Sequence, residues 1–161
     1  MKTVGIVANP QKEGISRATD LVAAWADGHG LEVVVDELAS SAVHEGVETG
    51  SRREIAERAD LVIAFGGDGT MLAAVGAVAE TGRPIPVLGV NLGSLGFLTQ
   101  VPGDELSEVL ESLDPESLPV TERMMLEVSR RDGERRLALN DVVILKPAED
   151  AIIIDSTRQS A

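Results

Sequence analysis

Asp68 is the one acid inside the cluster Gly66-Gly67-Asp68-Gly69-Thr70, and that setting gives its carboxylate a chemical role to explain. The cluster follows the apolar run Leu61-Val62-Ile63-Ala64-Phe65 and precedes the helix-forming Met71-Leu72-Ala73-Ala74-Val75. A strand that enters a glycine turn and leaves as a helix points backbone N–H groups and the positive helix end at one place, which suits a phosphate. Glycine there lets the backbone lie directly against an anion. A carboxylate beside phosphate repels it, so the useful roles for Asp68 are to accept or orient the proton of an attacking hydroxyl, or to hold a divalent cation. The structural alternative is a tight Asp-Gly turn that joins strand to helix.

A second glycine-rich stretch, Asn91-Leu92-Gly93-Ser94-Leu95-Gly96-Phe97-Leu98-Thr99, follows the apolar residues 85–90. In an open parallel sheet, two strands that end in such loops meet at the carboxyl edge, where ligands bind.

The elements that position these loops alternate. Residues 4–8 read as a buried strand that ends at Asn9-Pro10. Ala18, Leu21, Val22 and Trp25 then fall on one helix face, which Gly28 and Gly30 close. Residues 31–35 form the next strand, residues 40–50 an exposed loop, and Ser51-Arg52-Arg53-Glu54 has the spacing of a capping box that opens a short helix. Leu106, Val109, Leu110 and Leu113 repeat the helical spacing, and Asp114-Pro115 stops it. This rhythm predicts an α/β domain with a parallel, Rossmann-like sheet over residues 1–119. From there the pattern changes: residues 121–129, 135–140 and 142–145 read as strands with no helix between them, Asp132-Gly133 as a hairpin turn, and residues 151–155 as a last strand. Residues 120–161 are therefore expected to begin a β-rich second region.

Composition narrows the partners. The 161 residues carry 14 basic and 27 acidic side chains, for a formal net charge of −13, which disfavours nonspecific binding to nucleic acid or to an anionic membrane surface. A small anion remains compatible, because glycine loops bind phosphate with backbone dipoles. Only Trp25, Phe65 and Phe97 are aromatic, so the core is expected to be aliphatic. The absence of cysteine excludes disulfides, thiolate metal sites and a Cys nucleophile. His29 and His44 stand alone, and no set of metal-ligating residues is read. The acidic excess with only three lysines suggests a surface adapted to high salt. The first apolar run is too short for a signal peptide and no run approaches the roughly 20 apolar residues of a membrane span, so a cytoplasmic protein is expected.

Taken in order, Gly66-Gly67-Asp68-Gly69-Thr70, the stretch from Asn91 to Thr99, and Asn140-Asp141 resemble the NAD kinase family over roughly residues 1–146; Asn9-Pro10 and Arg123-Met124-Met125-Leu126 add to the likeness. The resemblance implies an ATP-dependent kinase that phosphorylates the 2′-hydroxyl of the adenosine ribose of NAD to give NADP, with a divalent cation such as Mg. By position, Asp68 is then the catalytic base. Gly66, Gly67, Gly69 and Thr70 form one nucleotide-binding loop, and Asn91, Gly93, Gly96 and Phe97 line the dinucleotide cleft. Asn140 and Asp141 match an Asn-Glu pair that holds the ligand by hydrogen bonds, with Asp keeping the charge at a reach one methylene shorter. Family members continue into a longer β-rich domain whose further nucleotide motif is unmatched here, so a homo-oligomer that completes the cleft is expected. Two alternatives stay open: a truncated, inactive nucleotide-binding or interaction protein, and a phosphofructokinase-like or lipid kinase-like domain. Walker A and Gly-x-Gly-x-x-Gly patterns are absent, which argues against an ordinary P-loop or dehydrogenase domain.

Overall fold

Residues 3–8 and 61–66 are apolar without alternation, the pattern of strands covered on both faces. A computed structural model describes residues 1–44, 46–93, 96–129, 133–139 and the backbone of 153–155, and these two runs are its central strands. In chain order the first unit is β1 (Thr3–Ala8), α1 (Ile15–Gly28), β2 (Glu32–Asp36), β3 (Glu48–Gly50), α2 (Arg52–Arg58) and β4 (Leu61–Gly66). It continues with α3 (Asp68–Thr81), β5 (Val87–Asn91), β6 (Val101–Pro102) and α4 (Leu106–Ser112). The strands form one parallel sheet in the order β3-β2-β1-β4-β5-β6. That order turns outward in both directions from β1 and β4, the arrangement that leaves a crevice at the carboxyl ends of those two strands.

Side chains alternate between two aliphatic cores, one on each face of the sheet. Val4, Ile6, Ala8, Leu61, Ile63 and Phe65 pack against α1 and α4 on one face. Val7, Val62 and Ala64 pack against α2 and α3 on the other. Phe65 is the largest fully buried side chain. The expected α/β domain with a Rossmann-like parallel sheet is therefore what the chain forms. The capping box is present as read, with the Ser51 hydroxyl accepting from the Glu54 amide and the Glu54 carboxylate accepting from the Ser51 amide.

Several boundaries differ from the sequence reading. The stretch 40–50 is not all loop: a short 3-10 helix (Glu37–Ala42) and the edge strand β3 occupy part of it. The three residues of β3 are polar or glycine and pair with a neighbour on one side only, so they lack the apolar pattern that marks a buried strand. The fifth strand starts at Val87 because Pro86 lacks a donor, and it runs through Asn91. The helix after the glycine loop begins at Asp68 itself, three residues before its apolar stretch.

A second, antiparallel sheet follows, made of β7 (Leu126–Ser129), β8 (Arg135–Ala138) and β9 (Ile153–Asp155) in the order β8-β7-β9. Residues 121–125 are irregular rather than part of the strand, although Met125 is buried at the join. Asp132, Asn140, Asp141 and residues 142–145 lie outside the described residues. No described helix is long and apolar enough to cross a membrane.

Candidate active site

The register brings the two glycine loops together. Phe65 pairs with Ala8 and Gly66 pairs with Asn91, so the loops after β1, β4 and β5 emerge side by side at the carboxyl edge. Gly66 sits directly under Thr70: a β-carbon there would overlap the Thr70 hydroxyl and lie 2.9 Å from its Cβ. Only a residue without a side chain lets the first turn of α3 fold back so closely on the end of its strand. Gly67 caps α3 with no side-chain hydrogen bond, and the space beside Gly67 and Gly69 is open. The first amides of the helix are thus left without a side-chain acceptor at a surface a ligand can approach.

Asp68, the first residue of α3, turns its carboxylate toward the second loop. Oδ2 accepts from the Phe97 amide at 3.0 Å. Oδ1 accepts from the Leu98 amide at 2.9 Å, and more weakly from the Thr99 amide at 3.3 Å and the Thr99 hydroxyl at 3.4 Å. The Leu98 amide foremost, and then that of Phe97, hold this carboxyl below the ordinary aspartate range; partial loss of water opposes them, and Thr99 adds to the lowering. The group is ionised at neutral pH, the protonation state a base requires.

Gly96 makes this approach possible, since a β-carbon there would overlap Asp68 Oδ1 and stand 2.8 Å from its Cγ. Asn91 is buried, with Nδ2 donating to Thr99 Oγ1 at 2.9 Å and Oδ1 accepting from the Gly93 amide at 2.8 Å. These two bonds shape the loop from below. Phe97 is 95% exposed, and it is its backbone amide that meets the carboxylate. Of the residues singled out from the sequence, Gly66, Gly67, Asp68, Gly69, Thr70, Asn91, Gly93, Gly96 and Phe97 thus gather on these two adjoining loops. Asn140 and Asp141 fall outside the described residues.

Thr99 is the residue that sequence reasoning did not single out. It is fully buried and links Asn91 to Asp68 through one hydroxyl. Its position at the end of the glycine-rich stretch was the only sign, and a threonine there is indistinguishable from an ordinary loop residue. An apolar groove of about 620 Å³ adjoins the second loop, between α3, β5 and residues 118–125, with Met71, Val87, Leu98, Met124 and Met125 among its walls. It contains neither Asp68 nor Asn91. Among the described residues no group of three or more His, Asp or Glu is gathered to hold a metal ion.

An open parallel sheet whose strand order diverges beside a glycine loop defines the doubly wound α/β domains, which place their ligand crevice at the carboxyl edge. Within that class the chain belongs to the NAD kinase family: residues 4–114 match the ATP-NAD kinase N-terminal domain. The NAD kinase of Geobacter sulfurreducens is 44% identical over 168 residues, an alignment covering 99% of this chain and 57% of the relative. That of Acidobacterium capsulatum is 40% identical over 152 residues, covering 92% and 53% respectively. Among solved structures, yeast NADH kinase complexed with NADH superposes with a TM-score of 0.69 at 23% identity, over 87% of this chain and 47% of that one, a likeness of fold. The chain spans about half the length of the curated relatives it matches.

Proposed function

We propose that this chain carries the base-bearing half of an NAD kinase site, in which ATP phosphorylates the 2′-hydroxyl of the adenosine ribose of NAD. In this reading the hydroxyl oxygen attacks the γ-phosphorus, the bond from that phosphorus to the bridging oxygen breaks, ADP leaves, and Asp68 takes the hydroxyl proton. The observation that carries the reading is the Asp68 carboxylate at the head of α3, held below the ordinary aspartate range by the amides of residues 97–99 and standing beside the open space at Gly67 and Gly69.

That loop fills the acceptor positions of Asp68 with amides, so a ribose hydroxyl gains the carboxylate by displacing one of them. The Phe97 amide is the one to yield, because it bonds an oxygen of its own and its residue lies on the surface. Gly67 and Gly69 leave room for phosphate against the backbone, while Asn91 and Thr99 hold the second loop at the height of the first. A divalent cation would come with the ATP phosphates rather than rest in a protein cage, because among the described residues no group of three metal-ligating side chains is gathered. Near residue 120 we place the opening of a second, β-rich unit, with the antiparallel strands β7 and β8 as its first members. ATP and NAD as reactants also agree with a cytoplasmic setting.

Isothermal titration with NAD and with MgATP, run beside a coupled assay for NADP, tests the proposal. Binding of both with NADP formation supports it. Binding without turnover reduces the chain to a nucleotide-binding module, and no binding of NAD overturns the reading.

A further inference from the structure

Lys12 has an unusual reach. It is carried by the turn after β1, yet its Nζ stands only 3.0 Å from the point where a β-carbon on Gly93 would lie, beyond the end of β5. The strands β1 and β5 are not neighbours, because β4 lies between them. With adjacent strands ~4.8 Å apart, this residue bridges a gap of about 10 Å across the carboxyl end of β4. That end is Gly66, where the glycine loop and the amino end of α3 begin.

The charge at this place is unbalanced. Arg52 pairs with Asp36, Arg53 with Glu57, Arg58 with Glu48, and Arg83 with Asp60. Among the described residues Lys12, like Arg17 and Arg123, pairs with no carboxylate, although the chain as a whole carries a net charge of −13. The acid of the cleft, Asp68, is turned into the amides of residues 97–99. An ammonium and the positive end of a helix therefore border one crevice, and an anion between them suits both. A neutral ligand gains nothing from such a pair.

We propose that Lys12 is a phosphate-binding residue of this cleft, closing over a phosphate group of the bound nucleotide against the head of α3. The inference rests on the nucleotide reading given above and adds to it a cation from the first loop. Two sources offer the same chemistry, the pyrophosphate of the dinucleotide and the polyphosphate of the donor.

Isothermal titration of the chain with NAD, with MgATP and with inorganic tripolyphosphate separates them, using Lys12→Met, Lys12→Arg and, as a control, Lys2→Met at the opposite edge of the sheet. Lys12→Met should weaken at least one ligand by about tenfold or more, the size of one lost charge-assisted contact. Lys12→Arg should keep most of the affinity, and the ligand affected names the phosphate. Wild-type affinity in Lys12→Met, with its unfolding midpoint unchanged, overturns the proposal, as does an equal loss in Lys2→Met, which would make the effect one of overall charge. Tripolyphosphate binding that depends on Lys12 without any NAD binding keeps the phosphate site and removes the dinucleotide reading. NAD binding indifferent to Lys12 does the reverse. If the wild type binds none of the three, both fall.

Discussion

Gly96→Ala is the change that most directly separates the position of Asp68 from its chemistry. The added methyl overlaps Asp68 Oδ1 and lies 2.8 Å from Asp68 Cγ and 3.0 Å from Thr99 Oγ1, while ordinary contact begins near 3.4 Å. Carboxylate or loop must therefore move apart by on the order of 1 Å, a shift that carries hydrogen bonds of ordinary length out of range. The bonds in question run from 2.9 to 3.4 Å, so all four are lost or badly stretched. A misplacement of that size at a reacting group costs about 10²-fold in rate. The core beneath is untouched, since Phe65 and Val90 pack below the loops. Two readouts decide the matter. The Asp68 carboxyl, followed by NMR during acid titration, should titrate closer to the ordinary aspartate range in the variant, because the amides that lower its pKa have withdrawn. In the wild type the corresponding stabilisation is complete above the ordinary carboxylate pKa and fades as the pH falls through the lowered one. NADP formation should drop in parallel, and the melting midpoint should fall only by the stabilisation these bonds carried, because both aliphatic cores stay packed. An unchanged Asp68 titration together with unchanged turnover would show that the loop does not rest on this carboxylate.

The remaining predictions concern the frame. Phe65→Ala removes the largest fully buried side chain and should destabilise the fold by about 3–5 kcal/mol, read as a lowered urea midpoint; a loss below about 1 kcal/mol would mean that the two cores are not packed as described. Gly76→Ala places a methyl in open space inside α3 and should stabilise by about 0.5–1 kcal/mol, raising the melting temperature by about 1–4 °C, whereas a fall would reveal a neighbour at that position. Raising KCl or NaCl from ~0.1 to ~1 M shortens the Debye length from about 10 to about 3 Å. Because Glu105 at the N-cap of α4 and Glu108 and Glu111 within it are all exposed, the melting temperature should rise with either salt; a flat or falling curve would refute charge repulsion as a destabilising force.

The sheet was legible because its central strands are continuous aliphatic runs and α1 keeps one apolar face. Val4, Ile6, Leu61 and Ile63 announce burial by type alone, and the Ser51 and Glu54 pair announces a helix start by its geometry. The short edge strand at Glu48–Gly50 was hidden, since three polar or small residues at a sheet edge have nothing to bury. At the site, Asp68 and the glycines could be read because the cluster directly follows an apolar strand and leads into a helix, and at Gly66 no side chain fits beneath Thr70. What could not be read was the direction of the Asp68 carboxylate. Its partners are the backbone amides of Phe97, Leu98 and Thr99, which every sequence possesses, and only the register of β4 with β5 brings them within reach. Lys12 was invisible for the same reason: its position over the end of β4 depends on the order of strands in the sheet and not on its neighbours in the chain.

The role proposed for Asp68 is that of the base in phosphoryl transfer to the adenosine ribose. The most direct measurement is a single turnover of excess chain on NAD with MgATP, the products resolved by phosphorus NMR so that a 2′-phosphate monoester is seen as such. The wild type should form that monoester, and Asp68→Asn should form it about 10²–10⁴-fold more slowly, because an amide cannot take the hydroxyl proton. A wild type that binds NAD and MgATP yet forms no monoester, or an Asp68→Asn variant that forms it at the wild-type rate, would contradict the account.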